Sequence, residues 1–157
     1  MRWKPGYIRS VPLDELLADE SAIVTLRATT ADDALNELAV ALAGQTSLSE
    51  TTIAKGLRDR ENLGSTALGR GLALPHTKAE IPLSRAVLGL APQGITFGAP
   101  DELPVRVFVA LVSPLAPSEH LRALAAISRA FAQPSVIDRI LAAEHPSQVL
   151  AIVRGEP

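Results

Sequence analysis

At 157 residues the chain has the length of one ordinary domain, enough to bury a single core. Its 15 lysines and arginines nearly balance 17 acidic residues, and it has only one Trp, one Tyr and three Phe. This balanced charge and the scarcity of aromatic rings argue against nucleic-acid binding through phosphate neutralisation or base stacking. The core is predicted to be aliphatic.

The chain contains no cysteine, which excludes disulfides, thiol chemistry and zinc–thiolate sites. Its three histidines, His76, His120 and His145, lack the close spacing typical of metal ligands. No apolar run approaches the roughly 20 residues that span a bilayer, and residues 1–12 lack the apolar segment of a signal peptide. We therefore expect a cytoplasmic protein with no membrane insertion, no metal and no cofactor.

Residues 1–12 show no apolar periodicity and are predicted to be an N-terminal extension of a domain that covers residues 13–157. Within that domain, a helical turn is predicted at 13–17. Strands are predicted at 22–26, 71–74, 86–91 and 105–112, with a short edge segment at 95–97. Five helices are predicted to begin at hydroxyl caps, namely Thr30, Ser49, Ser118, Ser135 and Ser147. Gly44 is expected to follow the first of these helices as its C′ residue.

The strands and helices interleave without strict βαβ alternation, which indicates an α/β fold: a single domain with a mixed β-sheet flanked by helices on both faces. The segment 105–112 is almost wholly apolar, as expected for a central strand covered on both sides. In the helix that follows Ser118, the inward face is predicted from helical spacing to carry Leu121, Leu124, Ala125, Ser128 and Phe131.

The stretch from Gly64 to Lys78 is the candidate functional segment. Gly64, Gly69 and Gly71 allow positive φ and a close approach of the backbone to a bulky anion. Pro75 is predicted to end the strand 71–74 and to hold His76 at its edge. A neutral imidazole is a good nucleophile near pH 7, so this arrangement is compatible with phosphoryl transfer through a phosphohistidine. On spacing alone, turn glycines and an ordinary loop histidine are the simpler interpretation.

Three separated motifs make a more specific pattern. They are Arg60-Glu61 with Gly64-Ser65-Thr66, then Gly71-Leu72-Ala73-Leu74-Pro75-His76, and later Glu119-His120-Leu121 before an apolar helix. In order and spacing, from about Leu13 to Val153, they resemble the fructose/mannitol-type (type 2) enzyme IIA domain of the bacterial phosphotransferase system. The best-fitting member type is the stand-alone nitrogen-regulatory enzyme IIA.

The resemblance implies a role for each matching position. His76 would be the phosphorylated histidine, charged by a small histidine phosphocarrier protein, and Arg60 would steady the phosphoryl group. His120 would lie close to His76 in the folded domain, and Gly64, Ser65 and Thr66 would form the loop beside them. The family needs no metal or cofactor. Two features depart from the pattern: Thr77 stands where a smaller residue is commoner and could narrow access to His76 or bind the phosphoryl group, and Arg70 adds a cation within the loop.

Three functions remain open from the sequence. The first is a phosphotransferase component whose phosphohistidine is a regulatory mark of the nitrogen/potassium type, acting on regulatory target proteins. The second is a sugar-specific enzyme IIA that passes the phosphoryl group to a IIB domain. The third is an interaction module that works without phosphorylation. Because no fused transporter or IIB segment is evident, we expect regulation rather than sugar uptake.

Overall fold

The computed structural model describes residues 13–156, so the predicted N-terminal extension at residues 1–12 lies outside the described residues. The strands are β1 Ile23–Thr25, β2 Ala67–Gly69, β3 Leu72–Ala73, β4 His76–Lys78, β5 Arg85–Ile95 and β6 Val105–Ser113. The helices are α1 Leu13–Leu16, α2 Ala31–Ala43, α3 Glu50–Asn62, α4 Pro117–Ala130, α5 Ser135–Ala142 and α6 Pro146–Val153, with a 3₁₀ turn at Glu20–Ala22.

All the strands join one mixed sheet in the order β1-β5-β6-β3-β2, and β4 also pairs with β6. Strands β5 and β6 are antiparallel, whereas β3 and β4 both run parallel to β6. Leu72 of β3 lies opposite Val107, and His76 of β4 lies opposite Leu111. Strands β3 and β4 therefore follow one another along the same edge of β6, which places His76 near the C-terminal end of that strand.

Strand β6 is the centre of the sheet, because all of its residues except Arg106 are buried. On one face Gly89 of β5 lies opposite Phe108, and a Cβ at Gly89 would lie 2.8 Å from Leu38 of α2. On the other face Ser113 contacts His120 of α4. Helices thus cover both faces, and the predicted α/β fold class is confirmed.

The two predicted N-terminal caps of the first half are confirmed. Thr30 Oγ1 accepts a hydrogen bond from the Asp33 N–H at 3.2 Å, and Ser49 Oγ accepts one from the Thr52 N–H at 3.2 Å. The prediction for Gly44 is wrong in detail. It is the C-cap of α2 with φ −68°, and its own N–H bonds back to the last turn, so no left-handed residue is needed there.

The hydroxyl caps predicted for the last three helices are wrong. The N-cap positions are Ala116, Pro134 and His145, and none of Ser118, Ser135 and Ser147 occupies one. The reason in α4 and α6 is a proline at the first helical position, whose fixed φ favours the helix and whose missing N–H costs nothing there. In α4 and α6 the proline, and not a serine side chain, determines where the helix begins.

Two strand predictions also need correction. The strand predicted at 86–91 and the edge segment predicted to begin at residue 95 are one strand, because β5 continues to Ile95 across a register shift between Leu90 and Ile95, with Gly94 at φ +76°. Such an irregularity lets a strand accommodate a proline without ending. Strand β2, at Ala67–Gly69, was not predicted, because its glycine flanks are typical of a loop.

Candidate functional site

Pro75 separates β3 from β4 without interrupting the pairing with β6. It has no N–H to donate, but its carbonyl accepts a hydrogen bond from the Leu111 N–H at 2.9 Å. His76 then begins β4, a strand that the sequence did not predict. The histidine is thus held between a proline with a fixed φ and a strand ladder, which makes its backbone position rigid.

The hydrogen bonds of the His76 ring define its tautomer. Nδ1 lies 2.7 Å from the carbonyl oxygen of Leu74. A carbonyl only accepts, so Nδ1 carries the proton and Nε2 carries the lone pair. Burial lowers the pKa of His76 below its usual value, which favours the neutral ring at pH 7. The ring therefore presents a nucleophilic Nε2.

Arg60 comes from the last turn of α3 and reaches this nitrogen. Its Nε donates to His76 Nε2 at 3.3 Å, and its Nη1 donates to the Gly64 carbonyl at 2.8 Å. The guanidinium is thus anchored at one end by the loop and faces the nucleophile with the other. A cation placed there can bind the oxygens of an anion attached to Nε2.

His120 lies beside His76, as the resemblance implied. The ring centroids are 5.1 Å apart with an interplanar angle of 48°. The His120 residue is only 8% exposed, and its Nδ1 is hydrogen-bonded to the Ser113 hydroxyl. Burial, followed by repulsion from His76 when that ring is protonated and from Lys78, lowers the pKa of His120 to about 4. Its ring is therefore neutral at pH 7.

The predicted inward face of α4 is wrong by one residue for most of its length. Leu121 is 65% exposed and Ala125 and Ser128 are also exposed, while the buried residues of the helix are His120, Ala123, Ala126 and Ile127. Phe131 is buried, and Leu124 is half-buried against the core, as predicted. The hydrogen bond to Ser113 requires His120 to face the sheet, which turns Leu121 toward solvent. Apolar spacing alone misses this because the inward side chain is polar.

The loop Gly64–Thr66 secures the end of α3. Thr66, which is 4% exposed, donates from its N–H and its hydroxyl to the Glu61 carboxylate. Ser65 Oγ donates to the Phe97 carbonyl at 2.6 Å. Within residues 13–156, none of these three loop residues donates a hydrogen bond to His76. Two further partners had no role predicted from the sequence: Glu61, which binds Thr66, and Ser113, which binds His120. The available signals were the position of Glu61 directly after Arg60 and that of Ser113 at the end of the apolar strand β6.

The other glycines lie elsewhere. The turn between β2 and β3 contains Gly69, Arg70 and Gly71, and the Arg70 N–H donates to Asp101 Oδ2 at 2.7 Å. This turn lies near Val107, about 13 Å along β6 from Leu111 at the usual rise per strand residue. Gly69, Gly71 and Arg70 therefore do not border His76, contrary to the anion-binding loop that the sequence indicated.

Thr77 does not face His76 either. Successive residues of a strand point to opposite faces, and Thr77 packs against Gly56 of α3, where an added Cβ would clash with its hydroxyl. The expectation that Thr77 narrows access to His76 or binds its ligand is wrong. Its methyl and hydroxyl groups instead set how closely α3 approaches β4.

The three side chains brought together are thus a neutral nucleophilic imidazole, a guanidinium and a second neutral imidazole. In the part of the chain that the structure describes, no group of three or more His, Cys, Asp or Glu side chains is arranged to hold a metal ion. Within the same residues, no helix has the length and apolar character needed to cross a membrane.

Comparison with known proteins identifies the family. The model of the family "Phosphoenolpyruvate-dependent sugar phosphotransferase system, EIIA 2" matches residues 15–155. A nitrogen regulatory protein of Bradyrhizobium diazoefficiens is 30% identical over 151 residues, which cover 94% of this chain and 97% of that protein. The crystal structure of the nitrogen regulatory protein IIA-Ntr from Neisseria meningitidis has a TM-score of 0.83 and 29% identity, covering 90% of this chain and 98% of that one.

A more distant neighbour shares the fold. It is the mannitol enzyme IIA of Escherichia coli, in its complex with phosphorylated enzyme IIB, with a TM-score of 0.74 and 23% identity over 87% of this chain and 96% of that one. The resemblance inferred from the sequence motifs is confirmed. Because the family model spans the chain almost from end to end, this protein belongs to the type 2 enzyme IIA family of the phosphoenolpyruvate-dependent sugar phosphotransferase system.

Proposed function

We propose that the protein is a phosphocarrier in which Nε2 of His76 accepts a phosphoryl group from a histidine phosphocarrier protein. The observation that carries this proposal is the pair of contacts on one ring. The Leu74 carbonyl holds the proton on Nδ1, and Arg60 faces the opposite nitrogen. A nucleophile with a fixed tautomer and an adjacent cation meets the needs of phosphoryl transfer between imidazoles.

The proposed transfer is an in-line displacement. The lone pair of His76 Nε2 forms the new P–N bond, and the electron pair of the broken bond stays on the donor's ring nitrogen. The Leu74 carbonyl stabilises the positive charge that develops on the His76 ring through Nδ1–H. Arg60 moves the hydrogen bond of its Nε from His76 Nε2 to the phosphoryl oxygens, where charge accumulates in the loose transition state.

Two exposed leucines close in sequence to Arg60 and His120 support docking of another protein. Leu63, the C-cap of α3, is 84% exposed, and Leu121, which follows His120, is 65% exposed. Exposed apolar side chains around a reactive group are suited to a transient protein contact. We infer that a phosphocarrier protein covers them while its own histidine approaches His76.

A regulatory role is the better supported version of this function. The nitrogen regulatory protein of B. diazoefficiens aligns over nearly the full length of both chains. A phosphoryl group adds almost two negative charges at His76, which is enough to change the affinity of this site for regulatory target proteins. The alternative is transfer to a sugar-specific IIB domain, which the E. coli complex of the same fold supports.

The test uses the full chain with phosphoenolpyruvate, enzyme I and a histidine phosphocarrier protein. We expect an acid-labile mass gain of one phosphoryl group, lost in His76→Ala and retained in His145→Ala, whose histidine is exposed at the start of α6. No gain in the wild-type chain would favour an interaction module that works without phosphorylation. A gain that survives His76→Ala would place the acceptor elsewhere.

A second reaction separates the two roles. The purified phosphorylated chain is mixed with fructose-type or mannitol-type IIB domains, and the phosphoryl group is followed by mass. We expect it to remain on this chain. Rapid and complete transfer to a IIB domain would instead indicate a sugar-specific enzyme IIA.

A further inference from the structure

We infer that Ser113 is a positioning residue that holds the His120 proton on Nε2, so that His120 offers a neutral N–H donor to a phosphoryl group on His76. This inference rests on the proposed function of His76. It concerns a serine that neither the sequence motifs nor the family resemblance singled out.

Ser113 occupies a defined place under the site. It is the last residue of β6, it is fully buried, and it lies opposite Lys78 of β4. Two residues earlier on the same strand, Leu111 lies opposite His76. Because alternate residues share a face of the sheet, Ser113 and His76 lie on the same face, the one that α4 covers with His120.

The direction of the Ser113–His120 hydrogen bond follows from its surroundings. A buried hydroxyl must place its hydrogen on an acceptor or lose the stabilisation of a hydrogen bond. Within residues 13–156, the only hydrogen-bond partner of Ser113 Oγ is Nδ1 of His120. The hydroxyl therefore donates to Nδ1, and Nδ1 carries a lone pair.

The single proton of the neutral His120 ring then belongs to Nε2. Burial keeps that ring neutral, since it lowers the pKa of His120 to about 4. Nε2 lies on the edge of the ring away from Ser113 and makes no hydrogen bond to any described residue. This N–H is consequently available for an oxygen of a phosphoryl group on the neighbouring ring.

The two histidines therefore carry opposite tautomers, each fixed by one buried partner. The Leu74 carbonyl holds the His76 proton on Nδ1 and leaves Nε2 as nucleophile. The Ser113 hydroxyl holds the His120 proton on Nε2 and makes that nitrogen a donor. With the opposite tautomer, a lone pair of His120 would face the phosphoryl oxygens and repel them.

The test measures tautomers by long-range ¹H–¹⁵N correlation at pH 7 on the unphosphorylated full chain. We expect His120 in the wild-type protein to show the Nε2–H tautomer. In Ser113→Ala we expect a mixture of both tautomers and roughly tenfold slower phosphoryl uptake at saturating carrier protein, the effect of weakening one hydrogen bond. Ser113→Thr, which keeps the hydroxyl, is expected to restore both.

The control is Ser128→Ala, at an exposed serine of α4, the helix that carries His120, which should change neither measurement. An Nδ1–H tautomer on wild-type His120 would overturn the inference, and so would uptake by Ser113→Ala at the wild-type rate. Absence of phosphoryl uptake on wild-type His76 would overturn the proposed function instead, and the tautomer measurement would be unaffected because it needs no phosphate.

Discussion

Similar residues lie near the two ends of strand β6, but they make different contacts. Near its C-terminal end, Arg60 lies within hydrogen-bond distance of a nucleophilic nitrogen of His76. At its N-terminal end, the turn that contains Arg70 is bound by Asp101, whose carboxylate accepts hydrogen bonds from the N–H groups of Arg70 and Leu103. Both ends combine an arginine with neighbouring glycines, yet only the first places the cation beside a reactive side chain.

The comparison shows that residue type alone does not define an anion site. The deciding factor is which polar groups remain available after folding. The backbone donor of Arg70 is already satisfied by a carboxylate, which would also repel an incoming anion. Near His76, the guanidinium and Nε2 of His120 still have the capacity to bind phosphoryl oxygens.

Replacing each arginine singly by glutamine should give the largest difference between the two ends of β6 in the rate of phosphoryl uptake. Arg60→Gln is expected to slow phosphoryl uptake by roughly 100-fold or more, the loss seen when one preorganised transition-state donor is removed. Arg60→Lys should also be slow, because a lysine lacks the planar fork. Arg70→Gln should leave the rate unchanged. Single-turnover kinetics with a phosphorylated carrier protein measure these rates, and equal slowing by Arg60→Gln and Arg70→Gln would remove the distinction.

The pH dependence of stability should also differ between the ends. In the folded chain the pKa of His120 is lowered from 6.5 to about 4, so the unfolded chain takes up a proton first as the pH falls. The free energy of unfolding should therefore decrease between pH 6.5 and about 4, by roughly 3 kcal/mol. The lowered pKa of His76 acts in the same direction.

At the other end the effect of pH begins lower. Hydrogen bonds from Arg70 and Leu103 hold the pKa of Asp101 below its usual 3.8, so its contribution is lost only as the pH falls below that value. Urea denaturation across this range measures both effects. His120→Gln should flatten the decrease between pH 6.5 and 4, while His145→Gln should retain it. An unchanged decrease in His120→Gln would contradict the assignment.

The smallest effect on stability is expected from a substitution in the turn between β2 and β3. Gly71 has φ +84°, and an added Cβ would meet nothing closer than 3.9 Å. Gly71→Ala should therefore lower the free energy of unfolding by roughly 1–2 kcal/mol through backbone strain alone. Phosphoryl uptake at saturating carrier protein should stay at the wild-type rate. A slowed uptake in this variant would show that the turn communicates with His76.

The sequence predicted those features that depend on neighbouring residues. Thr30 and Ser49 cap their helices through contacts three residues away, and Pro75 determines the position of His76 directly. The apolar run at 105–112 identified the central strand, because a strand buried on both faces is apolar whichever elements cover it.

The features that depend on distant packing were not predictable in this way. The rotation of α4 depends on the bond between His120 and Ser113, which no apolar periodicity encodes. The direction of Thr77 depends on the close approach of Gly56 in another helix. The separation of Gly64 from Gly71 depends on their partners, since the Gly64 carbonyl accepts from Arg60 whereas the Gly71 carbonyl accepts from the N–H groups of Arg106 and Val107 in β6. Each of these is set by a contact between elements, after the local structure has formed.

The most direct test of the account is the position of the phosphoryl group on the His76 ring. The chain, labelled with ¹⁵N at histidine, is phosphorylated by the carrier protein and observed by long-range ¹H–¹⁵N and ³¹P spectroscopy. The Leu74 carbonyl occupies Nδ1–H, so we expect the phosphoryl group on Nε2 of His76. A phosphoryl group on Nδ1 of His76, or on His120, would contradict it.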